Sequence, residues 1–320
     1  MQDNYFSYST SRHHSPGEMA GCVAGWDQEH QQLDVGSQFV GNTVQLQLGS
    51  VKIVRQTVNL RTMNAHSRSG DSFCTYFIPS PVTGRFEPDS LVTCFNIRQR
   101  PRFGMRPAGL PAIMVEMPFE LVDMGNDDVW GNYSHLPSGA VWHLVTWLNS
   151  MLDPVHGQAL RANPEFLSVA PNLIIDRLTL WLATKYSKAN RETKWVFERA
   201  CEWIRTSPSD KITVFDVSMA TGCNPATLRK AFLDEADVSL DRYLTIRRLN
   251  FARNDILSTE NKKLRISDIA LSRGFSHWGR FSELYRSFFR ETPSDTARAK
   301  FHSFEKPVRR QENLYHLPPW

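Results

Sequence analysis

The chain has 320 residues, which is more than one hydrophobic core usually holds, so we expect two domains. Its hydrophobic content of 41% is ordinary for a globular protein, and the sequence has neither an apolar run of about 18 residues nor the pattern of a signal peptide. These features predict a soluble, cytoplasmic protein. The net charge of +4 is uneven: residues 189–320 hold 23 basic and 17 acidic residues, and the rest hold 14 and 16, which favours a polyanion-binding C-terminal part. Five cysteines without a CxxC pair argue against a disulfide framework and a structural zinc site, so we expect neither a metal nor a cofactor.

The first half of the chain reads mainly as strands. Residues 1–17 are polar, rich in Ser and His and without periodicity, which predicts a disordered N-terminus. Short alternating or β-branched runs follow to about residue 135, including 44–48, 51–54 and 112–117, and Gly, Pro and Asn-Asp turns separate them. This pattern predicts a small antiparallel sheet or β-barrel.

Two amphipathic helices are predicted after the strands, at 140–152 and 172–186, and they complete a first domain spanning 18–187. Their apolar stripes, which include Leu148 and Leu180, suit either packing on the barrel or a dimer seam. The histidines of this half have no metal-ligand spacing, which makes a metal-dependent enzyme a poor candidate.

The pattern becomes helical after residue 187. Helices are predicted at 195–204, 216–220 and 240–257, and Asn224-Pro225 has the form of an N-cap and first-turn proline opening another helix that runs to about Glu235. The expected fold class is therefore α+β, with an N-terminal β-barrel-like domain carrying helices and an all-α domain at 188–301. Residues 302–320 are expected to form a tail.

An internal repeat lies in this helical part. Residues 214–223 match residues 266–275 at an offset of 52, with identical Asp216/Asp268 and Gly222/Gly274. Each copy has a short amphipathic helix, a turn whose Gly can take positive φ, and a second helix. The repeat predicts two helix-turn-helix units, at about 213–235 and 266–289.

The second helix of each unit divides into an inner and an outer face. Leu228 and Phe232 are expected to pack inward in the first unit, as are Phe281 and Tyr285 in the second. The outer faces carry the residues that we expect to contact DNA: Ala226, Arg229, Lys230, His277, Trp278, Arg280 and Glu283. Arg or Lys can bond guanine in the major groove, and a carboxylate can accept from cytosine. Two such helices could read successive major-groove faces about 34 Å apart. The alternative is that both units are ordinary three-helix packing with a solvated charged face.

These residues also carry a family resemblance. The segment 274–281 (GFSHWGRF), continued by Tyr285, Phe289, Pro293 and Ser294, resembles the C-terminal signature of AraC/XylS-type regulators. The resemblance covers about residues 199–300. It implies a seven-helix domain with two helix-turn-helix units that binds promoter DNA and commonly contacts RNA polymerase. Three positions depart from the family: Asp237 and Arg290 stand where glycine is usual, and Leu240 where proline is usual.

The first domain has a shorter resemblance. Trp26-Asp27-Gln28, with Gln32-Leu33, Gly36, Phe39 and Gly41, is similar to regulators of ethanolamine-utilisation operons. The family resemblance implies a domain that senses a small molecule and forms a homodimer, and a barrel can enclose such a ligand, with residues 73–78 among the candidate lining residues.

Three functions remain open at this point. The first is a ligand-responsive transcription activator. The second is a ligand-independent repressor or silencing antagonist that acts by occupying DNA. The third, an enzyme fused to a DNA-binding domain, is disfavoured because the cysteine spacing lacks the cluster that such enzymes need.

Overall fold

A computed structural model gives the fold of residues 5–36, 38–68, 72–79, 83, 91–96, 102–121, 131–134, 139–182, 191–207, 211–258, 265–303 and 313–316. The described part is mixed α/β, with sheets in the N-terminal half and helices in the C-terminal half. None of the described helices is long and apolar enough to cross a membrane. The predicted junction at 187–190 lies outside the described residues.

The N-terminal half contains two antiparallel sheets. The larger has the order β10-β7-β6-β9-β4-β3-β1-β11, with β1 (Tyr5–His13), β3 (Gly41–Leu48), β4 (Val51–Val58), β6 (Ser72–Ile78), β7 (Leu91–Asn96), β9 (Ala112–Pro118), β10 (Gly131–Ser134) and β11 (Asn313–His316). The smaller has the order β2-β5-β8, with β2 (Trp26–Gln32), β5 (Thr62–Arg68) and β8 (Arg102–Arg106). Among the described strands neither sheet closes on itself, so two open sheets stand where a barrel was expected.

The N-terminus differs from its predicted disorder. Residues 5–13 form β1, which pairs with β3 from Phe6 opposite Leu48 to His13 opposite Gly41. Phe6 is buried in the core, and the partly buried Tyr8, on the same face, packs against it. The polar composition concealed a strand whose inward positions are aromatic. On the other side, β1 pairs with β11, so part of the predicted tail adds a strand to this sheet.

Three helices follow β10 in the chain: α2 (Gly139–Met151), α3 (Gln158–Arg161) and α4 (Pro164–Leu182). A short helix, α1 (Pro16–Ala20), lies between β1 and β2. Helices α2 and α4 pack on one face of the larger sheet, where Val145, Leu148 and Ile174 are fully buried. Leu148 therefore belongs to the domain core and not to an exposed seam. Helix α4 begins eight residues before the predicted start, because Asn163 accepts a hydrogen bond from the backbone N–H of Phe166 and caps it.

The C-terminal half is helical. It contains α5 (Arg191–Thr206), α6 (Val214–Thr221), α7 (Pro225–Ala236), α8 (Leu240–Ser258), α9 (Ile266–Ser272), α10 (Trp278–Phe289) and α11 (Pro293–Ser303). The central α8 buries residues on all sides, including the charged Arg247 and Arg253. Helix α8 thus serves as the shared support of the helices before and after it.

The smaller sheet touches the helical half directly. Met63, Ala65 and Phe103, on its outer face, belong to the same apolar cluster as α5, α7 and α8. The side chain of Asn250 accepts from the backbone N–H of Gln32 and donates to its carbonyl, both at 3.0 Å. The two halves therefore share a core that the sequence pattern did not predict.

Candidate DNA-binding surface

The first helix-turn-helix unit is held by local caps. Thr213 and Asp216 form a reciprocal capping box at the start of α6, and these hydrogen bonds hold the pKa of Asp216 below its ordinary value. Gly222 ends the helix with φ of 67°, a conformation that favours glycine. Asn224 then accepts from the backbone N–H of Thr227 at 2.8 Å, with Pro225 as the first helical residue. The sequence-based cap and turn are confirmed.

Helix α7 has the expected inner and outer faces. Leu228 and Phe232 are fully buried, and the Phe232 ring lies 4.9 Å from that of Phe197 and 5.1 Å from that of Tyr243. The other face is exposed and carries Ala226, Arg229 and Lys230. The Arg229 guanidinium lies 3.4 Å from the carboxylate of Asp241, a contact between half-exposed groups that leaves the arginine accessible.

The second unit repeats this geometry with different caps. Gly274 follows α9 with φ of 83°, which matches the turn expected from the repeat. Helix α10 begins at Trp278 after His277, whose side chain makes no capping hydrogen bond. Phe281 and Tyr285 are fully buried, as predicted, and the Tyr285 hydroxyl bonds that of Thr296 at 2.7 Å.

The outer face of α10 is exposed. His277, Trp278, Arg280 and Glu283 all lie on the surface, and Trp278 is 46% exposed although its ring also approaches that of Phe281. The structure thus brings the four predicted residues of this helix together, as it does the three of α7.

Sequence reasoning passed over two residues of this face. Gly279 is exposed between Trp278 and Arg280, and a Cβ atom built there would meet no heavy atom within 4 Å. Arg286 is exposed one turn after Glu283. Arg286 is three residues after Glu283, and this helical spacing could have placed it on the predicted outer face of α10.

The three departures from the family pattern have a structural outcome. Asp237 and Arg290 end α7 and α10 in the left-handed region, with φ of 52° and 58°, where glycine is the favoured residue. Asp237 also accepts from the Arg61 guanidinium at 2.9 Å. Leu240 is the first residue of α8, a position that proline also tolerates, and it is fully buried. The turn geometry is kept without the usual residues.

Comparisons with known proteins agree with this geometry. Residues 217–299 match the model of a helix-turn-helix domain family. XylDLEGF operon transcriptional activator 3 of Pseudomonas putida is 33% identical over 123 residues, covering 38% of this chain and 36% of the relative. XylDLEGF operon transcriptional activator 2 of the same organism is 31% identical, covering 31% of this chain and 64% of the relative.

The solved structures include a probable AraC family transcriptional regulator from Rhodopseudomonas palustris CGA009. It is 30% identical, with 33% of this chain and 96% of that chain covered and a TM-score of 0.30. The chain spans between about a third and two thirds of the length of the curated relatives named above. The matched residues contain most of both helix-turn-helix units, from α6 to α11. Residues 217–299 therefore match a helix-turn-helix domain family, and the curated relatives named above are operon transcriptional activators.

Proposed function

We propose that this protein is a sequence-specific transcription regulator that reads promoter DNA with α7 and α10. The observation that carries the proposal is the matching pair of exposed polar faces, each backed by fully buried residues at positions i and i+4. Since one shared helix, α8, supports both units, the two faces keep a fixed separation. A fixed separation suits successive major-groove faces of one DNA duplex.

The roles of the seven side chains follow from base-edge chemistry. Arg229 and Arg280 donate to guanine, Glu283 accepts from cytosine, and Lys230 contacts phosphate. Ala226 lies where it can contact a thymine methyl group. His277 and Trp278 lie at the N-terminal end of α10, the end of a recognition helix that usually enters the groove.

The experiment uses a DNA site selected from random sequence by the full-length protein. Arg229→Ala and Arg280→Ala should each cost about 1–3 kcal/mol of binding free energy at that site and relax the preference at particular base pairs. Lys230→Ala should weaken binding to selected and random DNA by similar factors, because a phosphate contact carries no sequence information. Equal losses on both DNAs for all three variants would show that the recognition face is elsewhere.

We further infer that the protein activates transcription through RNA polymerase and that its N-terminal half responds to a small molecule. The two Pseudomonas relatives are operon activators, which supports the first inference. The direct packing of the smaller sheet on α5, α7 and α8 supports the inference of a small-molecule response, since a change in the position of the sheet would alter the packing of these helices. The resemblance of residues 26–41 to ethanolamine-operon regulators supports a sensing role and leaves the effector open.

A homodimer is also part of the proposal, through α4 and not through Leu148. Val169, Leu173 and Leu180 are 58%, 41% and 64% exposed and are spaced four and seven residues apart, so they form an apolar stripe on the side of α4 that faces away from the core. A second copy that buries this stripe would hold two pairs of recognition helices on a longer DNA site. Leu180→Glu should then give a folded monomer in size-exclusion chromatography, and an unchanged dimer would contradict the seam.

A further inference from the structure

The turn that follows β2 lies against the helical half. It spans residues 32–36, from the last residue of β2 onward, and we name it the clasp. Leu33 is 1% exposed and belongs to the apolar cluster of the helical half. Its backbone N–H donates to the Arg61 carbonyl at 2.8 Å, which ties the clasp to the residue before β5. The clasp is therefore built into both halves of the protein.

The clasp is closed by its own first side chain. Gln32 is fully buried, and its Nε2 atom donates to the carbonyl of Asp34 at 2.7 Å and to that of Gly36 at 3.1 Å. A carbonyl that leaves water needs a hydrogen-bond partner, so these two bonds hold the turn in one shape. The amide of Gln47 makes the same pair of bonds, to carbonyls two and four residues later, in the turn between β3 and β4. That second turn, within the larger sheet, provides a matched comparison.

Two backbone contacts join the clasp to α8 and α10. The side chain of Asn250 in α8 pairs with both backbone groups of Gln32, as a neighbouring strand would. The Gly36 N–H donates to the Phe288 carbonyl at 2.8 Å. Phe288 lies in the last turn of α10, where carbonyls have no partner within the helix. The clasp therefore caps the C-terminal end of this recognition helix.

A third contact reaches the end of α7 through Arg61. The guanidinium donates from Nε to Asp34 at 2.8 Å and from Nη1 to Asp237 at 2.9 Å. Asp34 also accepts from the backbone N–H of Arg61 at 2.9 Å, so the arginine is held in place for its contact with Asp237. Asp237 is the residue that ends α7. The clasp and Arg61 thus contact the C-terminal ends of both recognition helices.

We propose that the clasp, together with Arg61, is a positioning element that fixes the distance and angle between α7 and α10. Helix α8 supports both units along one line, and the two further contacts at the helix ends restrict rotation of one unit against the other. The inference rests on the proposed function and assigns part of its specificity, the spacing between the two DNA segments, to the N-terminal half. The clasp contacts the helix ends opposite those that usually enter the groove, so it acts through α7 and α10.

The simpler alternative is that these contacts only hold the two halves together. A second arginine allows that alternative to be tested. Arg205 of α5 forms an ion pair with Asp27 of β2 and lies 3.9 Å from Glu29 of the same strand. The side chains of Arg61 and Arg205 are 28% and 24% exposed, so the two are matched in burial as well as in charge. Arg205 joins β2 to α5, whereas Arg61 joins the clasp to a recognition helix.

The first test needs no DNA and compares the full-length protein with four variants. Gln32→Met and Arg61→Met loosen the clasp, and Gln47→Met and Arg205→Met are their matched controls. Amide hydrogen exchange, resolved by mass spectrometry, should become faster at residues 33–36 and at the end of α10 in both clasp variants. The controls should leave both segments unchanged.

The expected rise differs between the two clasp variants. It is about tenfold in Gln32→Met, which loses two hydrogen bonds. It is about two- to fivefold in Arg61→Met, which loses partly exposed ion pairs. Faster exchange at the end of α10 in Arg61→Met is the informative signal, because the Arg61 side chain bonds the end of α7.

The second test measures the spacing preference on DNA. The probes are the site selected by the full-length protein and two versions of it, with one base pair added or removed between the two segments that the protein protects. One base pair moves the second segment by about 3.4 Å and turns it by about 35° around the DNA axis. Wild-type protein should bind both altered sites at least about tenfold more weakly, the cost of one lost base contact. Gln32→Met should reduce that ratio by about threefold, because a looser pair of helices tolerates the altered spacing, and Gln47→Met should keep it.

Three results would overturn the inference. They are unchanged exchange at the end of α10 in both clasp variants, equal changes in the clasp variants and their controls, and a spacing preference in the folded clasp variants as strong as in wild type. Circular dichroism verifies that each variant is folded, and Arg61→Met, at a partly exposed position, keeps the test decisive if Gln32→Met does not fold. A protein that shows the exchange pattern but selects no DNA site keeps the clasp and contradicts the proposed function instead.

Discussion

The two helix-turn-helix units reach the same geometry by different means. The first relies on local hydrogen bonds, with a capping box at Thr213 and Asp216 and an Asn224 cap at the start of α7. In the second, neither Arg265 nor His277 makes a side-chain cap, and α10 is held by a chain of aromatic contacts through Phe281 and its neighbours. Both units therefore have a buried aromatic core, and the first adds side-chain caps at the starts of its helices.

The largest loss of stability is expected from a substitution in the aromatic core of the second unit, and it tests whether that unit depends on its core. Phe281→Ala removes a fully buried ring whose centroid lies 4.9 Å from that of Phe275 and 5.5 Å from that of Tyr285. We expect a loss of about 3–5 kcal/mol in the free energy of unfolding, measured with urea.

Leu228→Ala at the matching position of the first unit is the control. It removes fewer atoms and no ring contact, so its cost should lie near the lower end of the about 2–5 kcal/mol range for such changes. If Leu228→Ala cost as much as Phe281→Ala, the second unit would not depend more strongly on its core.

A smaller difference in stability is expected between substitutions at the N-terminal ends of α7 and α10. Asn224→Ala removes the acceptor of the Thr227 N–H and should cost about 1 kcal/mol of stability. His277→Ala removes no capping bond and should change stability by less than about 0.5 kcal/mol, while weakening DNA binding if His277 contacts the duplex. Urea unfolding and DNA titration of both variants measure the two quantities separately. A large stability loss in His277→Ala would show that this residue supports the helix in another way.

The smallest effect concerns the left-handed ends of α7 and α10. Arg290→Gly relieves about 1–2 kcal/mol of backbone strain but adds about 0.4–1 kcal/mol of unfolded-state entropy, so the net gain should be roughly 0.5 kcal/mol. Asp237→Gly should gain less, because it also removes the ion pair with Arg61. The change in urea midpoint at constant slope measures both, and a loss of stability in Arg290→Gly would mean that its side chain makes a contact that outweighs the strain.

Features set by neighbouring residues can be predicted from the sequence, whereas contacts between residues far apart in the chain cannot. The two helices of the first unit begin and end within two residues of their predicted bounds, because Gly222 and Asn224-Pro225 act on their own neighbours. The strand at 5–13 was missed because its partner β3 lies some thirty residues away, and a polar composition does not reveal that pairing. The closeness of His30 and His66 depends on the register of β2 against β5, which no local pattern encodes. The shared core of the two halves also joins residues that are far apart in the sequence, so no local pattern predicts it.

The central claim is that both units read one DNA duplex, and hydroxyl-radical footprinting of the full-length protein on its selected site tests it most directly. Wild-type protein should protect two segments separated by about 10–10.5 base pairs, one helical turn. Arg229→Ala should weaken protection of one segment, and Arg280→Ala should weaken protection of the other. A single protected segment, or two segments that weaken together in both variants, would contradict reading by two separate helices.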